Sequence, residues 1–116
     1  MQYKLYSPAG YLGTDKVNDN IDIHVVTEHG DVFFATLFTP INFSQLMERN
    51  GLNGMWVVDM VVVKDLSLET IRMAVDELME KQSFTEAFCR LGTTGEIYEG
   101  RMSYETLISL EELGIR

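Results

Sequence analysis

The chain holds few side chains suited to catalysis. His24 and His29 are its two histidines, and Cys89 is its one cysteine. A histidine beside aspartates can serve as a general base, and Asp22, His24 and Asp31 loosely imitate such a cluster. A zinc site needs about four converging ligands, and no second histidine stands at a metal-ligand spacing on a common face. His24 falls on the more polar side of an alternating segment and His29 in a turn, so both read as surface residues. Cys89 would need a lowered thiolate pKa, from a histidine or a helix N-terminus, to act as a nucleophile. It follows Phe88 in a segment that reads as helical, which predicts a small buried side chain instead.

Carboxylates are abundant, with Asp76 beside Glu77 and Glu111 beside Glu112. Neighbours on a helix point about 100° apart, so these pairs do not converge on one bond as glycoside hydrolysis requires. They read as solvated helix faces. Gly92-Thr93-Thr94-Gly95 lacks the lysine and the glycine spacing of a phosphate loop and reads as a turn. Trp56 reads as core or sheet edge, and would be an interface anchor if exposed. The expectation is a non-enzymatic chain with no metal and no cofactor.

The elements that position these residues follow from periodicity. Residues 2–6 alternate and predict a first strand, broken by Ser7-Pro8-Ala9-Gly10. Residues 10–20 are rich in glycine, asparagine and aspartate and predict a loop. Ile21, Ile23 and Val25 alternate with Asp22 and His24, and residues 32–38 form a second apolar run. A two-residue His29-Gly30 turn would pair Val25 with Phe34, Ile23 with Thr36 and Ile21 with Phe38.

Thr39-Pro40 ends that strand, and residues 41–50 predict a short helix. Residues 55–64 are β-branched and almost continuously apolar. They predict a central strand covered on both faces, with a kink at Asp59. Ser67 is a good N-cap for the clearest helix, with Leu66 and Ile71 placed as a hydrophobic staple. Ile71, Val75, Leu78 and Met79 make its buried stripe, and Glu69, Arg72, Asp76 and Glu80 the opposite face. Phe84–Leu91 predicts a further short helix and Ile97-Tyr98 a short strand. Ser103 predicts the cap of a last helix carrying Leu107, Leu110 and Leu113, closed near Gly114. The fold class is therefore α+β: an antiparallel or mixed β-sheet with helices packed on one face.

The chain has 116 residues, 46% hydrophobic and 23% charged, which suits one domain over residues 1–116 with an adequate core. The formal net charge is −9. Residues 1–64 carry seven acids and four bases, and residues 65–116 carry eleven acids and five bases. An acidic surface repels phosphate, so nucleic acid and anionic membranes are not expected partners. A basic protein is, because opposite fields speed encounter. With one cysteine there is no intrachain disulfide. The N-terminus lacks an apolar signal core, and the Met60–Val63 run is too short to span a bilayer. The expected location is cytoplasmic.

Gly10-Tyr11-Leu12-Gly13-Thr14-Asp15, the hairpin and Val61-Val62-Val63-Lys64-Asp65-Leu66-Ser67 together resemble small acidic bacterial immunity proteins of polymorphic-toxin and contact-dependent inhibition systems. The likeness covers most of residues 1–90 in pattern. It implies binding and neutralisation of a cognate toxin domain, of basic and nuclease-like character. Charge and expected exposure select Glu69, Asp76 and Glu80, with Glu77 nearby, as the partner-binding residues. The alternative is a small structural or regulatory subunit, homodimeric through a sheet edge or Trp56. A third reading is a small enzyme using His24 and nearby aspartates.

Overall fold

The computed structural model describes residues 2–10 and 15–113. Its centre is a five-stranded mixed sheet. β1 (Tyr3–Tyr6) pairs antiparallel with β2 (Asn20–Thr27), which pairs antiparallel with β3 (Asp31–Phe38). The α+β class read from the sequence holds. The loop expected over residues 10–20 falls partly outside the described residues, as do Tyr11 to Thr14 of the resemblance motif.

The β2–β3 hairpin forms where expected, but in a different register. Its loop has three residues, Glu28-His29-Gly30, and Gly30 has φ +86°. The Gly30 N–H donates to the Thr27 carbonyl at 2.9 Å. A glycine in the left-handed region closing a three-residue loop is a recurrent hairpin solution. The added loop residue shifts every pair by one. Val25 faces Phe33, Ile23 faces Ala35 and Ile21 faces Leu37, instead of Phe34, Thr36 and Phe38. One sheet face thereby collects Ile21, Ile23, Val25, Phe33, Ala35 and Leu37. The other receives Asp22, His24, Phe34 and Thr36.

α1 (Pro40–Arg49) follows as expected. The Thr39 hydroxyl accepts from the Asn42 N–H, and Pro40 occupies the first turn, where its missing N–H costs nothing. The predicted central strand is instead a short edge strand, β4 (Met60–Val62), parallel to the C-terminal half of β3. Asp59 has φ +59°, so the kink expected there exists, and it confines strand geometry to the residues beyond it.

α2 (Leu68–Glu80) matches the sequence reading in its cap and its buried stripe. The Ser67 side chain accepts from the Thr70 N–H, and Leu66 and Ile71 are fully buried. Asp65 accepts from the Ser67 hydroxyl and N–H, which lowers its carboxyl pKa. Only Phe84–Ala87 of the next segment is helical (α3); Cys89–Thr93 is strand β5. β5 runs antiparallel to the N-terminal half of β3, with a bulge at Val32/Phe33. β4 and β5 thus share one side of β3, end to end. Cys89 is exposed, contrary to the buried role expected of it, because it starts a strand and not a helix turn.

A capping box between Thr93 and Glu96 opens α4 (Thr94–Ile97), so the supposed turn is a helix start and Tyr98 is its C-cap, not part of a strand. The last predicted helix is absent among the described residues, where turns follow Ser103. Gly114 lies outside them. Leu107 and Leu110 are buried as expected, while Leu113 is exposed.

Two apolar clusters result. The larger sets Ile23, Val25, Ala35 and Leu37 of the sheet against Ile71 and Val75 of α2, with Phe84 and Phe88. The smaller, on the opposite face, joins Val26 and Val32 to Tyr98 and Leu107. The C-terminal segment bends around the β1 edge between them. Leu107 belongs to the smaller cluster, Leu110 to the larger, and the Leu110 N–H donates to the Leu5 carbonyl at 2.9 Å.

Candidate functional site

α2 lies across the larger apolar cluster with its outer face in solvent. Residues spaced seven and four apart share a side of a helix, which aligns Glu69, Asp76 and Glu80. All three are exposed, as is Glu77. Glu77 is rotated toward β4 and lines a separate hollow with Val62, Lys64 and Met73. The four acids selected from the sequence therefore split between two sides of the helix.

Asp76 and Glu80 border a groove of about 480 Å³ between α2, α3 and the sheet. Its apolar lining comes from Phe33, Met79 and Phe84, with Tyr3 at one end. The Phe33 and Phe84 rings meet edge to face at 4.8 Å, and Phe84 stacks on Phe88 at 4.8 Å. Phe84 is thus packed against rings on two sides. The Tyr3 hydroxyl donates to Asp76 Oδ1 at 2.6 Å. Burial and the neighbouring Asp76 carboxylate push the Tyr3 phenol up to about 12, so it stays a donor at neutral pH. The Arg72 guanidinium lies 5.0 Å from the Tyr3 ring centre and pairs with Glu111. Arg72 thus lies against a ring at the edge of the groove with Glu111 as its ion-pair partner, and does not itself line the groove. Glu111 belongs to a turn, not a helix face.

His24 corrects the sequence reading. It is 8% exposed, beside the smaller cluster, because Tyr98 covers the sheet face on which β2 places it. His24 Nδ1 and the Tyr98 hydroxyl are 2.7 Å apart. Tyr6 and Phe34 complete an aromatic surround. Burial lowers the His24 pKa, against a smaller opposing effect of Asp22, and burial raises that of Tyr98. The imidazole is neutral at pH 7. The aspartates once grouped with it are engaged elsewhere: Asp22 accepts from the Thr36 hydroxyl at 2.7 Å, and Asp31 from Arg90 at 2.8 Å. His29 is exposed in the hairpin loop, as expected. Among the described residues no group of three or more His, Cys, Asp or Glu side chains is placed to hold a metal ion.

Trp56 is 80% exposed, on the segment that leads into the edge strand β4. Val58 and Val62 beside it are also exposed. Among the described residues no helix is long and apolar enough to cross a membrane.

No family model, curated protein or solved structure matches this chain.

Sequence reasoning reached the acids of the groove but missed its floor. The sequence pattern puts Phe33 and Phe84 in separate elements and gives them no common destination. The signal that could have joined them was the loop glycine. A three-residue loop puts Phe33, and not Phe34, on the α2 side of the sheet.

Proposed function

We propose that this protein binds a basic protein domain and blocks it, in the manner of an immunity protein that neutralises a cognate bacterial toxin. The observation that carries this reading is the groove at α2, where two carboxylates border a packed aromatic floor. Interfaces draw most of their energy from such partly apolar depressions, with charge guiding the encounter. The net charge of −9 attracts a basic partner over several ångströms. A nuclease is basic where it grips phosphate, and an acidic cover there excludes its substrate. The resemblance to small acidic immunity proteins points the same way, and a cytoplasmic site of action would suit it.

The test is co-expression with the toxin-like product of an adjacent reading frame. The intact protein restores growth and binds the toxin with an affinity that falls as salt rises. Reversal of Glu69 and Glu80 to lysine weakens both effects. Rescue that is indifferent to these reversals removes α2 from the interface, and absence of any rescue ends the toxin reading.

A second reading is favoured by Trp56. An exposed tryptophan beside an unpaired strand edge suits a homodimer or a structural subunit. Sedimentation of the pure protein decides it. A dimer broken by Trp56→Ala supports this reading, and a monomer at all concentrations removes it.

A further inference from the structure

The geometry points to the groove between α2 and α3 as a receptor for a single arginine side chain of the partner protein. This rests on the binding function proposed above and names the chemistry that it recognises. Three features of the groove define the occupant. Its floor, Phe33, Met79 and Phe84, is apolar and suits a short aliphatic stem. Its rim carries the Asp76 and Glu80 carboxylates one helical turn apart, a spacing that lets both face one cation. Its lining includes no basic residue, so no side chain of the groove itself neutralises those acids. Volume agrees: about 480 Å³ takes a long side chain with its water and is far too small for a folded element.

Arginine is favoured over lysine by the shape of the donors and the nature of the floor. A planar guanidinium can serve two carboxylates at once and lie flat on an aromatic ring, and it loses its water more readily than an ammonium. The protein already uses this arrangement one turn away, where Arg72 stacks on Tyr3. The Tyr3 hydroxyl, bound to one Asp76 oxygen, holds that carboxylate in place before the partner arrives. Thr85 adds a hydroxyl at the α3 side.

The experiment is an NMR titration of the full chain with N-acetyl-arginine amide, with the neutral isostere N-acetyl-citrulline amide and with N-acetyl-lysine amide. The expected result is saturable shifts confined to the groove, at Tyr3, Phe33, Asp76, Met79, Glu80 and Phe84. Citrulline binds at least tenfold more weakly and lysine several-fold more weakly. Glu80→Gln weakens arginine binding at least threefold, whereas Glu69→Gln, on the same helix side but outside the groove, leaves it unchanged. The Glu80 side chain takes no part in the described hydrogen bonds or ion pairs, so its variant keeps the fold. Shifts spread over every acidic surface, equal binding of citrulline, or equal loss in both variants overturns the proposal. Lysine binding as tightly as arginine overturns the choice of cation. Toxin rescue without arginine binding refutes this inference alone; arginine binding without rescue refutes only the toxin reading.

Discussion

Replacing Tyr98 with phenylalanine removes one oxygen from a nearly sealed place. The hydroxyl lies 2.7 Å from His24 Nδ1, and the two side chains are each 8% exposed. If the phenol donates, Nδ1 accepts; if the imidazole donates, the phenol oxygen accepts. Either way the substitution leaves a buried ring nitrogen without its partner. A lost neutral hydrogen bond costs about 1 kcal/mol, and an unsatisfied buried group about 1–3 kcal/mol. The ring contacts survive, so no cavity cost is added. A loss of about 1–3 kcal/mol corresponds to a Tm lower by roughly 4–12 °C in a domain of this size. The assay is urea unfolding followed by far-UV circular dichroism. Emission from Trp56 is unsuitable, because that indole is solvated in the folded state too. The double variant His24→Leu with Tyr98→Phe supplies the control. Replacing both partners by apolar groups is far less costly than orphaning one, so the two substitutions are non-additive by about 1 kcal/mol or more. An unchanged midpoint for Tyr98→Phe, or simple additivity in the pair, refutes the claim that this bond holds the smaller cluster.

Three further outcomes are expected. Burial lowers the His24 pKa below 6.5, so the unfolded chain binds more protons as pH falls past that value; stability from this residue is full above about pH 6.5 and declines below it. Urea midpoints taken between about pH 7 and pH 5 show this decline in the parent, and a smaller one in His24→Leu. Phe88→Ala empties a site that is 1% exposed and removes the ring stacked on Phe84. It costs about 3–5 kcal/mol by chemical denaturation, a large share of an ordinary domain's stability. Gly30→Ala places a Cβ on a backbone at φ +86°, which lowers stability by about 1–2 kcal/mol, read as a shift in urea midpoint.

What was legible in the sequence depended on how local its cause was. Ser67, Leu66 and Ile71 announce α2 within one turn of chain, and the structure follows them. Thr39-Pro40 announces α1 in the same way. The hairpin was legible as a hairpin, but its register turned on one extra loop residue, and a period of two converts that into a change of face. His24 keeps the face that its own strand's alternation gives it, but Tyr98 covers that face, and nothing local to β2 announces the cover. Residues 55–64 failed for a different reason. Their apolar character is that of a central strand, yet Asp59 takes a positive φ and leaves Trp56 and Val58 in solvent. Cys89–Leu91 looks helical by continuity with α3, and only the free side of β3 makes Cys89–Thr93 a strand. The acids of the candidate groove were legible from helical spacing. Its aromatic floor was not, because Tyr3, Phe33 and Phe84 meet only through tertiary packing.

The wrap of the C-terminal segment around β1 also bears on how the protein is made. The bond from the Leu110 N–H to the Leu5 carbonyl joins residues near opposite ends of the described chain. During synthesis β1, β2 and β3 emerge early and can pair as neighbours, while residues 107–110 are among the last described to leave the ribosome. Until then the outer side of β1 is an open strand, the kind of edge that recruits other chains. The nascent protein therefore passes through a stage in which its sheet is assembled but its first strand lacks a cover, and crowding on a polysome makes that stage its most aggregation-prone.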